Sequence, residues 1–216
     1  MPGIIGRRRG HGLVAGVFVV YLVLASCSVF SEYTWGSEAW FASPAFTLLH
    51  SGYLGTTILG TKGTWMAGMD RHTYWIPPVY LLSEAAWFRL FGFGLAAMRY
   101  LSVAAGAVVL FAWYSIVARL AGGSRLALLS IAFTAVDPRF ITFSALGRPD
   151  TLCAALGALG WAVYLRLRDR SLISAVVAGS ALTAASCLTH PCGELYAAGL
   201  LLLVLCLDRR RMSWRA

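Results

Sequence analysis

Val79-Tyr-Leu-Leu-Ser-Glu84-Ala-Ala-Trp-Phe-Arg89-Leu-Phe-Gly-Phe-Gly-Leu95 is the stretch on which the fold turns. It is apolar enough to resemble a membrane crossing, yet it carries Glu84 and Arg89 near its middle. A charged side chain at the bilayer centre costs roughly 3 kcal/mol on insertion scales. The two charges stand five positions apart, outside the three- or four-residue spacing that pairs side chains on a helix. The segment is therefore expected to lie along the membrane surface or re-enter it, and not to cross.

The surrounding chain leaves no soluble alternative. Of its 216 residues 59% are hydrophobic and 12% charged, and the mean hydropathy is +0.71, whereas soluble domains carry about a quarter charged residues. Gly12 to Phe30 contains no Asp, Glu, Lys or Arg and follows Arg7, Arg8 and Arg9. That order also describes a signal peptide, but the apolar run is too long for one and no small-x-small cleavage site precedes a soluble domain, so a retained first helix is expected. The fold class expected is all-α, a polytopic membrane bundle in one domain spanning 1–216. Its first helix covers 12–30. An outer loop with interfacial helices covers 31–99, and five further helices follow in 100–207, at about 100–118, 126–146, 151–165, 172–188 and 194–207. Pro138, with Asp137 and Arg139 beside it, predicts a kink and local polarity within the third.

With Val79–Leu95 kept out of the count, the charges sort by side. Twelve arginines and two aspartates fall with the N-terminus, including Arg119, Arg125, Arg166, Arg168, Arg170, Asp169, Asp208 and Arg209 to Arg211, and also Arg7 to Arg9 and Arg215. The other side receives six basic residues, Lys62 among them, against seven acidic ones. Counting Val79–Leu95 as a crossing would move Arg119, Arg125 and the Arg166–Arg170 cluster outside, against the positive-inside rule. Both termini are expected in the cytoplasm, the long loop outside, and the whole in the inner (plasma) membrane. The net charge of +9 then reads as topology, and no nucleic-acid partner is expected. Cys27, Cys153, Cys187, Cys192 and Cys206 show no metal-ligand spacing; they read as small core residues, with Cys187 and Cys192 the one pair that could bridge at an oxidising face.

Acids gathered at the mouth of a helical bundle are site candidates, because hydrocarbon penalises them unless they are solvated, paired or used. Glu38, in Trp35-Gly-Ser-Glu-Ala-Trp, follows the first helix, and Glu38 to His50 suits an interfacial helix. Asp150 ends Gly147-Arg-Pro-Asp and opens the next helix, where an acid beside Pro is also ordinary N-terminal chemistry. Arg148 can pair with Asp150 or receive a phosphate through its planar fork of donors. His190, in Thr189-His-Pro-Cys-Gly-Glu194, and His72, in Asp70-Arg-His-Thr-Tyr-Trp-Ile-Pro-Pro, sit in turns. A metal held by these histidines and the acids is compatible with the composition but has no spacing signature.

Taken in order, these residues resemble the N-terminal half of the GT-C membrane glycosyltransferases of family 39, the aminoarabinose transferases and protein O-mannosyltransferases. Glu38 and Gly52 keep the spacing of the family's first outer loop. Pro77-Pro78 and Phe91-Gly92 match its next segment, Arg99 matches an Arg entering the second span, Arg148-Pro-Asp150 reproduces an outward Arg-x-Asp, and Thr189-His-Pro corresponds to a polar turn after the fifth helix. Two positions depart: Ser37 stands where the family has Asp, and His190 where it often has Lys. The resemblance implies transfer of a sugar from a polyprenyl-phosphate donor to an acceptor at the outer face. Glu38 and Asp150 would be the catalytic carboxylates, and Arg148, Arg99, His190 and His72 would contact substrate or phosphate, with a divalent cation as an optional cofactor. It also implies a fragment of a longer transferase, completed by a missing C-terminal half. Two other readings stand beside it: a transporter or lipid flippase with Asp137, Arg139 and Glu84 along its path, and a non-catalytic assembly subunit whose acids are merely solvated.

Overall fold

A computed structural model describes residues 4–58 and 66–211. Its helices are α1 (Ile4–Ser31), α2 (Gly36–Ser51), α3 (Pro78–Phe91), α4 (Leu95–Leu120), α5 (Ser124–Val136), α6 (Pro138–Ser144), α7 (Pro149–Leu167), α8 (Leu172–Cys187) and α9 (Gly193–Asp208). A 3₁₀ turn at Arg209–Arg211 follows, and the described residues contain no strand. Lys62, Arg215 and the side chains of Arg7, Arg8 and Arg9, which entered the charge count, lie outside the described residues.

The deciding stretch forms α3, 14 residues long, or about 21 Å at 1.5 Å per residue, short of a hydrocarbon core about 30 Å thick. Pro78 starts it, where a missing N–H costs nothing. Gly92 stops it at φ 85° and ψ 159°, a backbone region open in practice only to glycine, and the chain then turns into α4. Because α4 begins at Leu95, five residues before the expected second span, Arg99 falls inside it.

By length and composition Gly12–Ser31 and Leu95–Leu120 can each cross a membrane, and α5 with α6 would make a third span bent by 67°. Six such crossings were expected; α8, at 16 residues, is apolar but shorter. The kink expected at Pro138 is a full break. Asp137 leaves the helical region and its Oδ1 accepts the Phe140 N–H at 2.8 Å, capping α6 as it ends α5.

Three apolar clusters hold the bundle. One joins α2 and α3 to the start of α4 through Phe41, Ile76, Tyr80, Leu81, Phe88 and Met98. The second packs α4, α7, α8 and α9 around Ile116, Tyr164, Leu165 and Leu200. There α7 and α8 approach closely at Gly160 and Gly179: a Cβ on Gly160 would stand 2.9 Å from the Gly179 carbonyl oxygen, the small-residue packing that substitutes for a hydrophobic drive in lipid. The third ties α1 to α4 and α5 through Tyr21, Val29, Leu110 and Ile131.

The bundle has two chemically distinct ends. At one, Val79 N–H donates to the Leu188 carbonyl at 2.9 Å, so the start of α3 rests on the end of α8, near the α6–α7 turn and α2. At the other, Arg119 pairs with Asp169 and Arg168 with Asp208.

Candidate active site

Arg99 and Glu38, each 1% exposed, form the centre of the first end. Arg99 Nε donates to Glu38 Oε1 at 2.8 Å and Nη2 to Oε2 at 2.9 Å. Nη1 donates to the Val29 and Glu32 carbonyls at 2.7 and 3.1 Å, and Nη2 to the Tyr33 carbonyl at 3.0 Å. All five guanidinium donors are thereby used, three of them on the frayed carbonyl end of α1 and the residues after it. Lysine could not reproduce this fork.

Glu38 is as fully engaged. Besides Arg99, Oε1 accepts the Gly147 N–H at 2.9 Å and Oε2 the Trp35 N–H at 3.0 Å, the latter tying the Glu38 side chain back to the N-cap backbone at the start of α2. Burial alone would raise the carboxyl. The bonds from Arg99, Gly147 and Trp35 and the Arg99 charge outweigh it and hold Glu38 below the usual carboxylate value. One buried ion pair thus joins the end of α1, the start of α2, α4 and the turn before α7. Gly147 is required there sterically as well, since a Cβ would lie 2.5 Å from Met98 Cγ and Sδ.

Three residues along that turn is Asp150, in the first turn of α7. Its Oδ2 accepts from Arg148 Nε at 2.9 Å, and both side chains are partly open, 36% and 27% exposed. Pro149 at the helix start pre-sets the backbone, and Thr151 Oγ1 anchors the turn on the Phe143 carbonyl at 3.1 Å. Below Asp150 runs an apolar groove of about 500 Å³ between α4, α7 and α9, lined by Trp113, Cys153, Trp161, Leu195 and Tyr196 among others. Trp161 Nε1 donates to the Tyr196 carbonyl at 2.7 Å, so both rings present apolar faces.

Tyr80, within electrostatic reach of Glu38, Asp150 and Arg148, and Glu84, one turn further along α3, are both 0% exposed. Neither the Tyr80 hydroxyl nor either Glu84 oxygen has a hydrogen-bond partner. Burial pushes the Tyr80 phenol well up; the nearby Glu84, Glu38 and Asp150 push the same way and Arg148 opposes them. Burial likewise drives Glu84 well above the usual carboxylate value, which favours the neutral acid.

The expected site residues therefore separate. Glu38 and Arg99 come together, but as a closed pair: Arg99, expected to meet a phosphate, has no donor left for one. Asp150 and Arg148 come together at the open groove. His190 sits at the α8–α9 turn, where Nδ1 accepts the Cys192 N–H at 3.2 Å and its carbonyl meets the Cys153 thiol, one turn beyond Asp150. His72 is exposed on the α2–α3 loop, and among the described residues no contact joins it to the others. No group of three or more His, Cys, Asp or Glu among the described residues could hold a metal, and all five cysteines are free, Cys187 and Cys192 included. Asp137 and Arg139 are exposed at the α5–α6 break while Glu84 is sealed, so the three do not line one path. The groove and the Tyr80–Glu84 pair were missed from sequence; the only signal was that Tyr80, Glu84 and Phe88 repeat at four-residue spacing on one face of α3.

No curated protein and no solved structure matches the chain. A family model described as dolichyl-phosphate-mannose-protein mannosyltransferase matches residues 76–216, about two thirds of the sequence. The match takes in Pro77, Arg99, Arg148, Asp150 and His190 and begins after Glu38. On that match the chain belongs to the family of dolichyl-phosphate-mannose-protein mannosyltransferases, multi-pass membrane glycosyltransferases of the GT-C type that draw sugar from a polyprenyl-phosphate donor.

Proposed function

We propose that this chain carries a site for moving a sugar from a polyprenyl-phosphate donor to an acceptor hydroxyl at the outer face of the inner (plasma) membrane. The observation that carries the reading is Asp150, with Arg148 bonded to it, on the wall of the apolar groove between α4, α7 and α9. A lipid-linked substrate needs a polar reacting group beside an apolar track, and this groove supplies both.

In the proposed reaction Asp150 accepts the proton of the acceptor hydroxyl, whose oxygen bonds to the sugar's anomeric carbon. The bond from that carbon to the phosphate oxygen breaks, and the polyprenyl phosphate leaves with the electron pair. Arg148, turning from Asp150 to the phosphate, offsets the charge that develops there. His190 flanks the same end and contacts the sugar or phosphate. Glu38 has no lone pair free for a proton, so its role, with Arg99, is to fix the Gly147–Asp150 turn against α1, α2 and α4. Ser37 in the family's aspartate position leaves Asp150 as the open carboxylate of the site. A divalent cation, if the reaction used one, would find only Asp150 as an open carboxylate here and would supply further charge to offset the phosphate, and His72 stands outside the scheme.

The test is transfer from a labelled polyprenyl-phosphate sugar by membranes containing the full chain. Asp150→Asn is expected to lower turnover about 10²–10⁴-fold, the range of a lost general base, with the protein still folded. Wild-type turnover from Asp150→Asn would overturn the assignment.

A further inference from the structure

A second groove lies at the opposite end of the bundle. It encloses about 230 Å³ between α4 and α7, with Phe111, Ser115, Leu159 and Val163 on its walls and Arg119 and Arg166 at its head. From Phe111 to Arg119 is eight residues of helix, about 12 Å, most of the roughly 15 Å depth of one leaflet's hydrocarbon. Arg119 is held by Asp169. Arg166 is exposed and makes no ion pair with any described carboxylate. Around them this end gathers Arg125, Arg168, Arg170 and Arg209 to Arg211 against only Asp169 and Asp208 among the described residues, and Asp208 is already neutralised by Arg168 and Arg211.

We propose that this groove binds one anionic phospholipid from the adjoining leaflet. Arg166 and Arg119 hold the phosphodiester, and one acyl chain lies along Phe111, Leu159 and Val163. The argument is charge complementarity joined to shape. A loop arginine that serves only topology needs no groove beneath it, whereas an apolar channel about 12 Å long capped by two guanidinium groups matches a headgroup and the upper part of its chain. A zwitterionic lipid fits the channel but brings its own cation to the arginines. The inference depends on membrane insertion and is independent of the transferase reading.

The experiment uses the full chain purified in mild detergent, with phosphatidylglycerol, phosphatidylcholine of the same chains, and glycerol phosphate as probes. Thermal unfolding and native mass spectrometry are the readouts. Phosphatidylglycerol should raise the melting temperature and remain bound as a single molecule, and the other two should not. Arg166→Gln and Arg119→Gln/Arg166→Gln should weaken retention about tenfold or more. Arg125→Gln/Arg209→Gln, which removes the same charge from residues that do not line the groove, should leave it intact. Val163→Trp, which fills the channel while keeping both arginines, should abolish it. Equal loss from the two arginine pairs, equal retention of phosphatidylcholine, an effect of glycerol phosphate alone, or no effect of Val163→Trp would each overturn the proposal.

Discussion

Glu38 and Glu84 are both buried at the same end of the bundle, and their surroundings push them in opposite directions. Glu38, lowered by Arg99 and two backbone N–H groups, binds fewer protons folded than unfolded, so its stabilisation is present above the ordinary carboxylate pKa and is lost as pH falls through the depressed folded value. Glu84, raised by burial, binds more protons folded, so stability falls as pH rises above the ordinary value. Thermal unfolding across pH should separate them. Glu38→Gln is expected to destabilise the protein by about 3–5 kcal/mol at neutral pH, because it leaves Arg99 as a buried unpaired charge. Glu84→Gln should be neutral or stabilising and should flatten the decline toward alkaline pH. A stabilised Glu38→Gln would remove the scaffold role given to this pair. Both glutamates were visible as unusual in sequence. Which one was paired was not, because Arg99 lies 61 positions from Glu38 and no local spacing connects them.

Among the elements, the α7–α9 junction at the arginine-rich end depends on one acid. Asp208, 0% exposed, accepts from Tyr164 Oη at 2.5 Å, from Arg168 Nε at 2.6 Å and from Arg211 Nη1 at 3.1 Å. It lies just past the apolar run of α9. The Arg168 bond is the largest influence, opposed by burial, and with the Tyr164 and Arg211 bonds it brings the Asp208 carboxyl down to about 2. The latch is therefore complete above the ordinary aspartate pKa of about 3.9 and opens as pH falls toward 2. Asp208→Asn should cost about 2 kcal/mol, the size of a hydrogen bond to a charged group, and should loosen α9 first, read by faster amide exchange in Leu200–Leu207 than in α4. Uniform exchange across both helices would show that the latch does not act locally. Helix boundaries behaved similarly to the residues. The deciding stretch was read through to Leu95 and the later helix from residue 151, whereas α3 stops at Phe91 before Gly92 and α7 starts at Pro149, positions where Gly and Pro act on their own backbone. The complete break at Asp137, where a kink was expected, depends on a cap that forms only when Phe140 turns back to it.

At the scale of the molecule, the separation of an acidic, groove-bearing end from an arginine-rich end makes a topology prediction. In a cysteine-free background, His72→Cys should react with a membrane-impermeant maleimide in intact cells, and Arg125→Cys only after permeabilisation. Reaction of both in intact cells would refute the assignment of α3 to the membrane surface, because adding or removing one crossing reverses the side of everything after it.

Composition, the charge-free run from Gly12 to Phe30 and the apolar stretches that follow determined from sequence alone that this is an all-helical membrane protein, and Glu84 with Arg89 inside an otherwise apolar stretch set the expectation that α3 lies along the surface. Those conclusions rest on the cost of placing charge in hydrocarbon, which acts on each segment separately. The ordered motifs from Glu38 to His190 carried the family. Only the tertiary structure decided that Glu38 is closed by Arg99 while Asp150 stays open, that Tyr80 and Glu84 are sealed without partners, and that Asp150 and Arg166 each line a groove. Each of those is a property of side chains brought together from distant helices, and the energy that distinguishes a paired carboxylate from a free one exists only once they meet.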